Sequence, residues 1–211
     1  MSSLEQSENP GLRYFAAIPW CASILNDPEI TVWHARPRRP NRLPNDDALF
    51  LDALNTPDAV PALITFYRNN QQQQQQQQQE PSAQSMSSPP PPPIPTAAID
   101  KLEALVALGL DISGYPGVAH GGVVTAVLDE VLGAIVTLNR ERRVVRGPFM
   151  TAYLNTTFIR PVKLPGVVRV TASVVERDDR KMRLLGAMLD QGGAELARAE
   201  ALFVQVRKGM L

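Results

Sequence analysis

Residues 121–138, GGVVTAVLDEVLGAIVTL, read as one helix that is apolar on nearly every side. A helix of that kind needs cover all round, so the rest of the chain must wrap it. At about 3.6 residues per turn, Val124, Leu128, Val131, Ile135 and Leu138 form one face. Val123, Val127 and Ala134 form a second. Thr125, Asp129 and Gly133 line a third, at i, i+4 and i+8. Asp129 and Glu130 are its only charges. A carboxylate in such a helix has to be paired, at a cleft or at a subunit boundary.

The wrapping material follows directly. Four strand-like runs, 149–160, 167–177, 181–189 and 194–207, are separated by turn signals such as Leu164-Pro165-Gly166, Asp178-Asp179 and Gln191-Gly192-Gly193. Connections this short predict an antiparallel meander. One buried helix under an antiparallel sheet is an α+β arrangement.

The N-terminal third is different. Tyr14, Phe15, Ile18 and Trp20 mark one helical piece, and Leu49, Leu51 and Leu54 another. Thr56-Pro57-Asp58 suggests the start of a further helix. Between them the basic, proline-rich stretch 36–45 reads as loop. Nine glutamines, 71–79, and five prolines, 89–93, cannot build a core. The expected organisation is an N-terminal helical extension over 1–68, a Gln/Pro-rich linker over 69–97 and a folded body over 98–211.

Lys plus Arg and Asp plus Glu both number 21, so no global field draws the chain to nucleic acid or an anionic membrane. The single cysteine, Cys21, reads as a partly buried structural thiol in a reducing compartment. No uncharged apolar run reaches the roughly 20 residues of a membrane span. The first residues show neither a secretory nor an Arg-rich transit pattern. The expected location is cytoplasmic, with a mitochondrial one left open. With only His34 and His120, no metal site is expected, and no P-loop or dinucleotide fingerprint calls for a cofactor.

The helix start carries the chemistry. Gly121 and Gly122 leave their N–H groups unshielded at the positive end of the helix dipole, which suits an oxyanion. His120 just before them reads as the residue that orients the turn by hydrogen bonding, ahead of an acid or base. Asp129 lies eight residues past Gly121, roughly 12 Å along the axis at about 1.5 Å per residue. One carbonyl cannot touch both on the same helix. If both act on one substrate, the Gly turn of one copy faces the Asp of another, and the protein is a homodimer.

His120-Gly121-Gly122, then Asp129, then the strand YLNTTFIRPV at 153–162 resemble the hotdog-fold acyl-CoA thioesterases. The resemblance is to the branch of the phenylacetate-pathway and carboxyl-terminal-modulator-protein types, and it spans about 101–207. The opening Ile18-Pro19-Trp20-Cys21 is similar to thioesterase-like proteins of filamentous fungi. The resemblance implies a hotdog fold, a homodimer or dimer of dimers, and hydrolysis of an acyl-CoA or carrier-bound thioester. It implies that Asp129 activates water or attacks directly, that Gly121 N–H polarises the carbonyl, and that the Thr151 hydroxyl helps hold the water. Where some relatives place an amide side chain six residues before the His, this chain has Gly114.

Coenzyme A is polyanionic, so Arg140, Arg142, Arg143 and Arg146 after the helix, and Arg180 and Lys181 in a hairpin turn, are candidate phosphate contacts. Glu130 is a candidate on the substrate side. Three other readings compete: a non-catalytic acyl-binding or regulatory hotdog protein, a hotdog dehydratase or hydratase, and an interaction protein driven by the Gln/Pro tract. His120 and Asp129 are not placed together as a dehydratase would need.

Overall fold

The computed structural model describes residues 7–35, 47–69 and 97–206. The basic loop expected over 36–45 and the Gln/Pro linker, apart from its ends Asn69 and Ala97, lie outside the described residues.

The long helix, α3, runs from Gly121 to Glu141. Its predicted core face, Val124, Leu128, Val131, Ile135 and Leu138, is buried throughout. Length and composition alone would let this helix cross a membrane. Here it packs instead under a seven-stranded antiparallel sheet, against strands contributed from most of the chain. The expected α+β hotdog arrangement is what the chain adopts.

The strands are β1 (Ile30–Ala35), β2 (Leu63–Arg68), β3 (Lys101–Leu108), β6 (Phe149–Phe158), β7 (Gly166–Arg177), β8 (Lys181–Leu189) and β9 (Glu195–Gln205). They lie side by side in the order β1-β2-β3-β7-β8-β9-β6. A small ribbon, β4 (Ser113–Tyr115) with β5 (Val118–Ala119), leads into α3.

Two features differ from the expected layout. First, β7, β8 and β9 do form a meander, but β6 pairs with β9 and not with β7. Residues 159–165 can span roughly 20 Å when extended, enough to cross three strand spacings of about 4.8 Å each. They pass beside the start of α3, where Leu164 N–H donates to Gly117 O and Ala119 N–H to Val162 O, both at 2.9 Å. This crossing leaves β6 as an outer strand of the sheet.

Second, the N-terminal extension is helical only in part. Helices α1 (Pro10–Ala16) and α2 (Pro19–Leu25) form, the first capped by Asn9 Oδ1 accepting from Gly11 and Leu12 N–H. Leu49–Ala53 makes one wide helical turn. The helix expected at 56–58 is a turn, and the next residues enter β2, while 30–35 enter β1. The extension therefore enlarges the sheet. It also covers its outer face: Phe15, Cys21 and Leu25 pack on Ala62, Ile64, Phe66, Leu105 and Ala107. Leu102, Ala104, Val106 and Leu108 of β3 face α3 on the other side. A strand buried on both faces loses its polar alternation. Cys21 is fully buried, and burial pushes its thiol up to about 12, so it stays protonated.

Candidate active site

The start of α3 spends its N–H groups unevenly. His120 is the N-cap, and its Nδ1 accepts from Gly122 N–H at 3.0 Å. Val123 and Val124 N–H both donate to His120 O, at 2.9 and 3.1 Å. Among the described residues nothing accepts from Gly121 N–H. The first turn thus leaves a single amide open, at the positive end of a 21-residue helix. Gly122, expected as a partner donor, is engaged by the histidine. His120 has the turn-orienting role, and Nδ1 must be unprotonated to play it.

The Gly114 position is closed by the same histidine. A Cβ there would lie 2.9 Å from His120 Cα and 3.2 Å from its Cδ2. A side chain at 114 would require the His120 backbone or the ribbon before it to shift.

Asp129 lies on the half-buried stripe Thr125–Asp129–Gly133, which turns toward β6 and β9; Gly133 faces the Phe203 ring, with a Cβ position 3.8 Å from it. Thr151 Oγ1 donates to Asp129 Oδ1 at 2.8 Å. A bulge makes that contact. Thr151 pairs with Phe203 and Tyr153 with Leu202, so Ala152 is an extra residue. Beyond it Leu154, Thr156 and Phe158 pair with the buried Ala201, Ala199 and Ala197 and share the helix-side face with Thr151. Tyr153, on the opposite face, donates from its hydroxyl to Glu200 Oε1 at 2.8 Å, and that bond holds its ionisation above the usual phenol range.

Two of these helix-side residues were given no site role from the sequence. Phe158 has its ring 3.3 Å from where a Gly121 Cβ would sit. Thr156 Oγ1 is buried with no hydrogen-bond partner among the described residues. Strict alternation from Thr151 would put both on the far face, and only the bulge brings them round.

The candidate cations divide. Arg142 Nε donates to Ala97 O at 2.8 Å, and its guanidinium lies over the Tyr67 ring, so it serves the fold. Arg146 and Arg180 come to one end of the sheet: Gln205 donates from its side chain to Arg146 O and from its N–H to Arg180 O. Lys181 follows in the same turn, pinned with Arg180 by Asp178 Oδ1. That end is also the Thr151 end of β6, since Phe149 pairs with Gln205. Glu130 is half-buried beside Asp129 on α3. No group of three His, Cys, Asp or Glu side chains among the described residues could hold a metal ion.

The sequence model of the thioesterase superfamily matches residues 116–197. The verlamelin biosynthesis protein B of a Lecanicillium species is 23% identical over 152 residues, covering 62% of this chain and 59% of that protein. The mouse acyl-coenzyme A thioesterase THEM4 is 32% identical over 74 residues, covering 35% of this chain and 29% of that one. A crystal structure of a thioesterase superfamily protein, 32% identical, covers 49% of this chain and 51% of its own at a TM-score of 0.44. The chain thus spans little more than half the length of the first of these relatives and less than a third of the second. The matched stretch runs from the turn before α3 into β9 and contains His120, Gly121, Asp129 and Thr151, and over that stretch this chain is similar to the thioesterase superfamily.

Proposed function

We propose that this protein hydrolyses acyl thioesters, carried on coenzyme A or on an acyl-carrier protein, at a site shared by two copies of the chain. The observation that carries this reading is the Thr151–Asp129 hydrogen bond, set on the helix face turned toward the outer strand β6. Asp129 takes a proton from a water that Thr151 helps to hold. The water oxygen attacks the thioester carbon, and the carbonyl oxygen becomes an oxyanion at the open Gly121 N–H of the partner copy. The C–S bond then breaks, and the thiol leaves with the proton returned from Asp129. An oxyanion donor of this kind contributes about 3–4 kcal/mol. General base catalysis adds about 10²–10⁴-fold.

The second copy is argued from the edge. Among the described residues β6 pairs with β9 alone, and Met150 and Tyr153 on it are exposed, as is Ile159 just beyond. A long apolar edge strand is a template for another strand. Antiparallel pairing of two β6 strands about a two-fold axis brings the Phe158 end, with Gly121, to the partner's Thr151 end. Arg146, Arg180 and Lys181 lie at that end and suit the phosphates of coenzyme A.

The test is free-thiol release from short, medium and long acyl-CoAs and from an acyl-carrier protein, by wild type and Asp129→Asn. A loss of at least about a hundredfold in the variant supports the reading. Equal rates in both proteins would remove Asp129 from the chemistry. No turnover by wild type on any thioester would leave an acyl-binding role.

A further inference from the structure

Phe158 stands at the open amide, and nothing in the hydrolysis proposed above uses it. Its ring atoms lie 3.3, 3.5 and 3.9 Å from the position of a Cβ on Gly121. A backbone nitrogen and its Cβ position are about 2.5 Å apart, so the ring edge is within roughly 6 Å of Gly121 N. A carbonyl oxygen accepting from that N–H, at about 2.9 Å, brings its acyl carbons into the reach of the ring. The absence of a side chain at Gly121 is what lets the ring come so close.

The ring is also unfinished business for the fold. Phe158 lies on the helix-side face of β6, opposite the buried Ala197, yet it is 57% exposed. A core phenylalanine on that face would be covered, as Phe203 on β9 is. One side of the ring packs on the Gly121 turn, and among the described residues more than half of Phe158 stays uncovered. Below it along the same face come Thr156 and Leu154, and then Thr151 on Asp129. The aromatic wall and the carboxylate therefore flank one strip of α3.

We propose that Phe158 is a specificity-determining residue, the apolar wall against which the first carbons of the acyl group pack while the thioester carbonyl sits on Gly121 N–H. The class of substrate this favours has an apolar chain or ring beginning close to the carbonyl. An acetyl group is too short to use the wall. The inference rests on the thioester hydrolysis proposed above.

The experiment measures kcat/KM for acetyl-, butyryl-, octanoyl- and phenylacetyl-CoA with wild type, Phe158→Ala and Phe158→Leu. Removing the ring is expected to cost roughly tenfold on octanoyl- and phenylacetyl-CoA and less than about threefold on acetyl-CoA. Phe158→Leu, which keeps apolar bulk, is expected to lie between and carries the comparison if the alanine variant does not fold. A uniform loss on all four thioesters in the leucine variant would make Phe158 a support for the helix start or the subunit contact, and would overturn the inference. So would an unchanged profile in both variants. A wild type inactive on every thioester would overturn the proposed hydrolysis and this inference with it, whereas an active wild type with an indifferent Phe158 overturns the inference alone.

Discussion

The Thr151 hydroxyl and the Asp129 carboxylate meet at 2.8 Å, one from the first turns of β6 and the other from the middle of α3. The bond uses one of the carboxylate oxygens, and in the proposed hydrolysis the other takes the water. Because Thr151 is exposed in the single chain, the contact contributes little to stability there. In the proposed hydrolysis its value is orientation. Thr151→Ala should lower kcat about tenfold and leave the unfolding midpoint unchanged, while Thr151→Ser should keep kcat within about threefold. Steady-state kinetics beside thermal unfolding of the three proteins reads both effects.

Gly121 can be tested without touching a side chain. It is the first residue of α3, where proline is tolerated, and His120 before it has φ −64° and ψ 133°, a conformation that suits a residue preceding proline. Gly121→Pro removes the open N–H, and its Cβ asks the Phe158 ring to give by a few tenths of an ångström. The variant should fold, with helical circular dichroism retained, and should lose about 10²–10³ in kcat. A folded variant with full activity would show that the oxyanion is held elsewhere.

The proposed sharing of the site between two copies makes a sharper demand. Asp129→Asn keeps a good Gly121, and Gly121→Pro keeps a good Asp129. Mixed and refolded together at equal amounts, two-fold pairs of unlike chains each carry one intact site. About a quarter of wild-type turnover should return by random pairing, from two proteins that are each nearly inactive. Without recovery in verified mixed dimers, both groups must act within one chain or not at all.

The legible and illegible parts of this sequence separate for physical reasons. α3 could be found because its apolar residues repeat at the helical period, and β6 to β9 because turn residues bracket them. Residues 101–108, KLEALVAL, hid as a strand because α1 and α2 cover the outer face of β3 while α3 covers the inner one, so neither face needs to be polar. β1 and β2 hid because a strand in a helical-looking extension only makes sense once the sheet edge it joins is known. At the site, Gly121, His120 and Asp129 stood out by type and spacing, whereas Thr151 came only from the resemblance to the hotdog thioesterases. The engagement of Gly122 by His120 was not readable, since it depends on which way a side chain turns. Phe158 and Thr156 were hidden by the extra residue Ala152, and a bulge leaves no mark in a hydrophobic pattern.

Thr156 offers the last prediction. Its Oγ1 is buried, and no hydrogen-bond partner is present among the described residues. Its neighbours on the face are Leu154 and Phe158, and it sits opposite the buried Ala199. A hydroxyl taken from water into such a place costs about 1–3 kcal/mol when it makes no bond. Valine has nearly the same shape without the hydroxyl and is at home in a strand. Thr156→Val is therefore expected to stabilise the protein by about 1 kcal/mol in denaturant unfolding with an unchanged m-value. A loss of stability by as much would mean that the hydroxyl is bonded in the assembled protein, and the partner would then have to come from the second copy across the β6 edge.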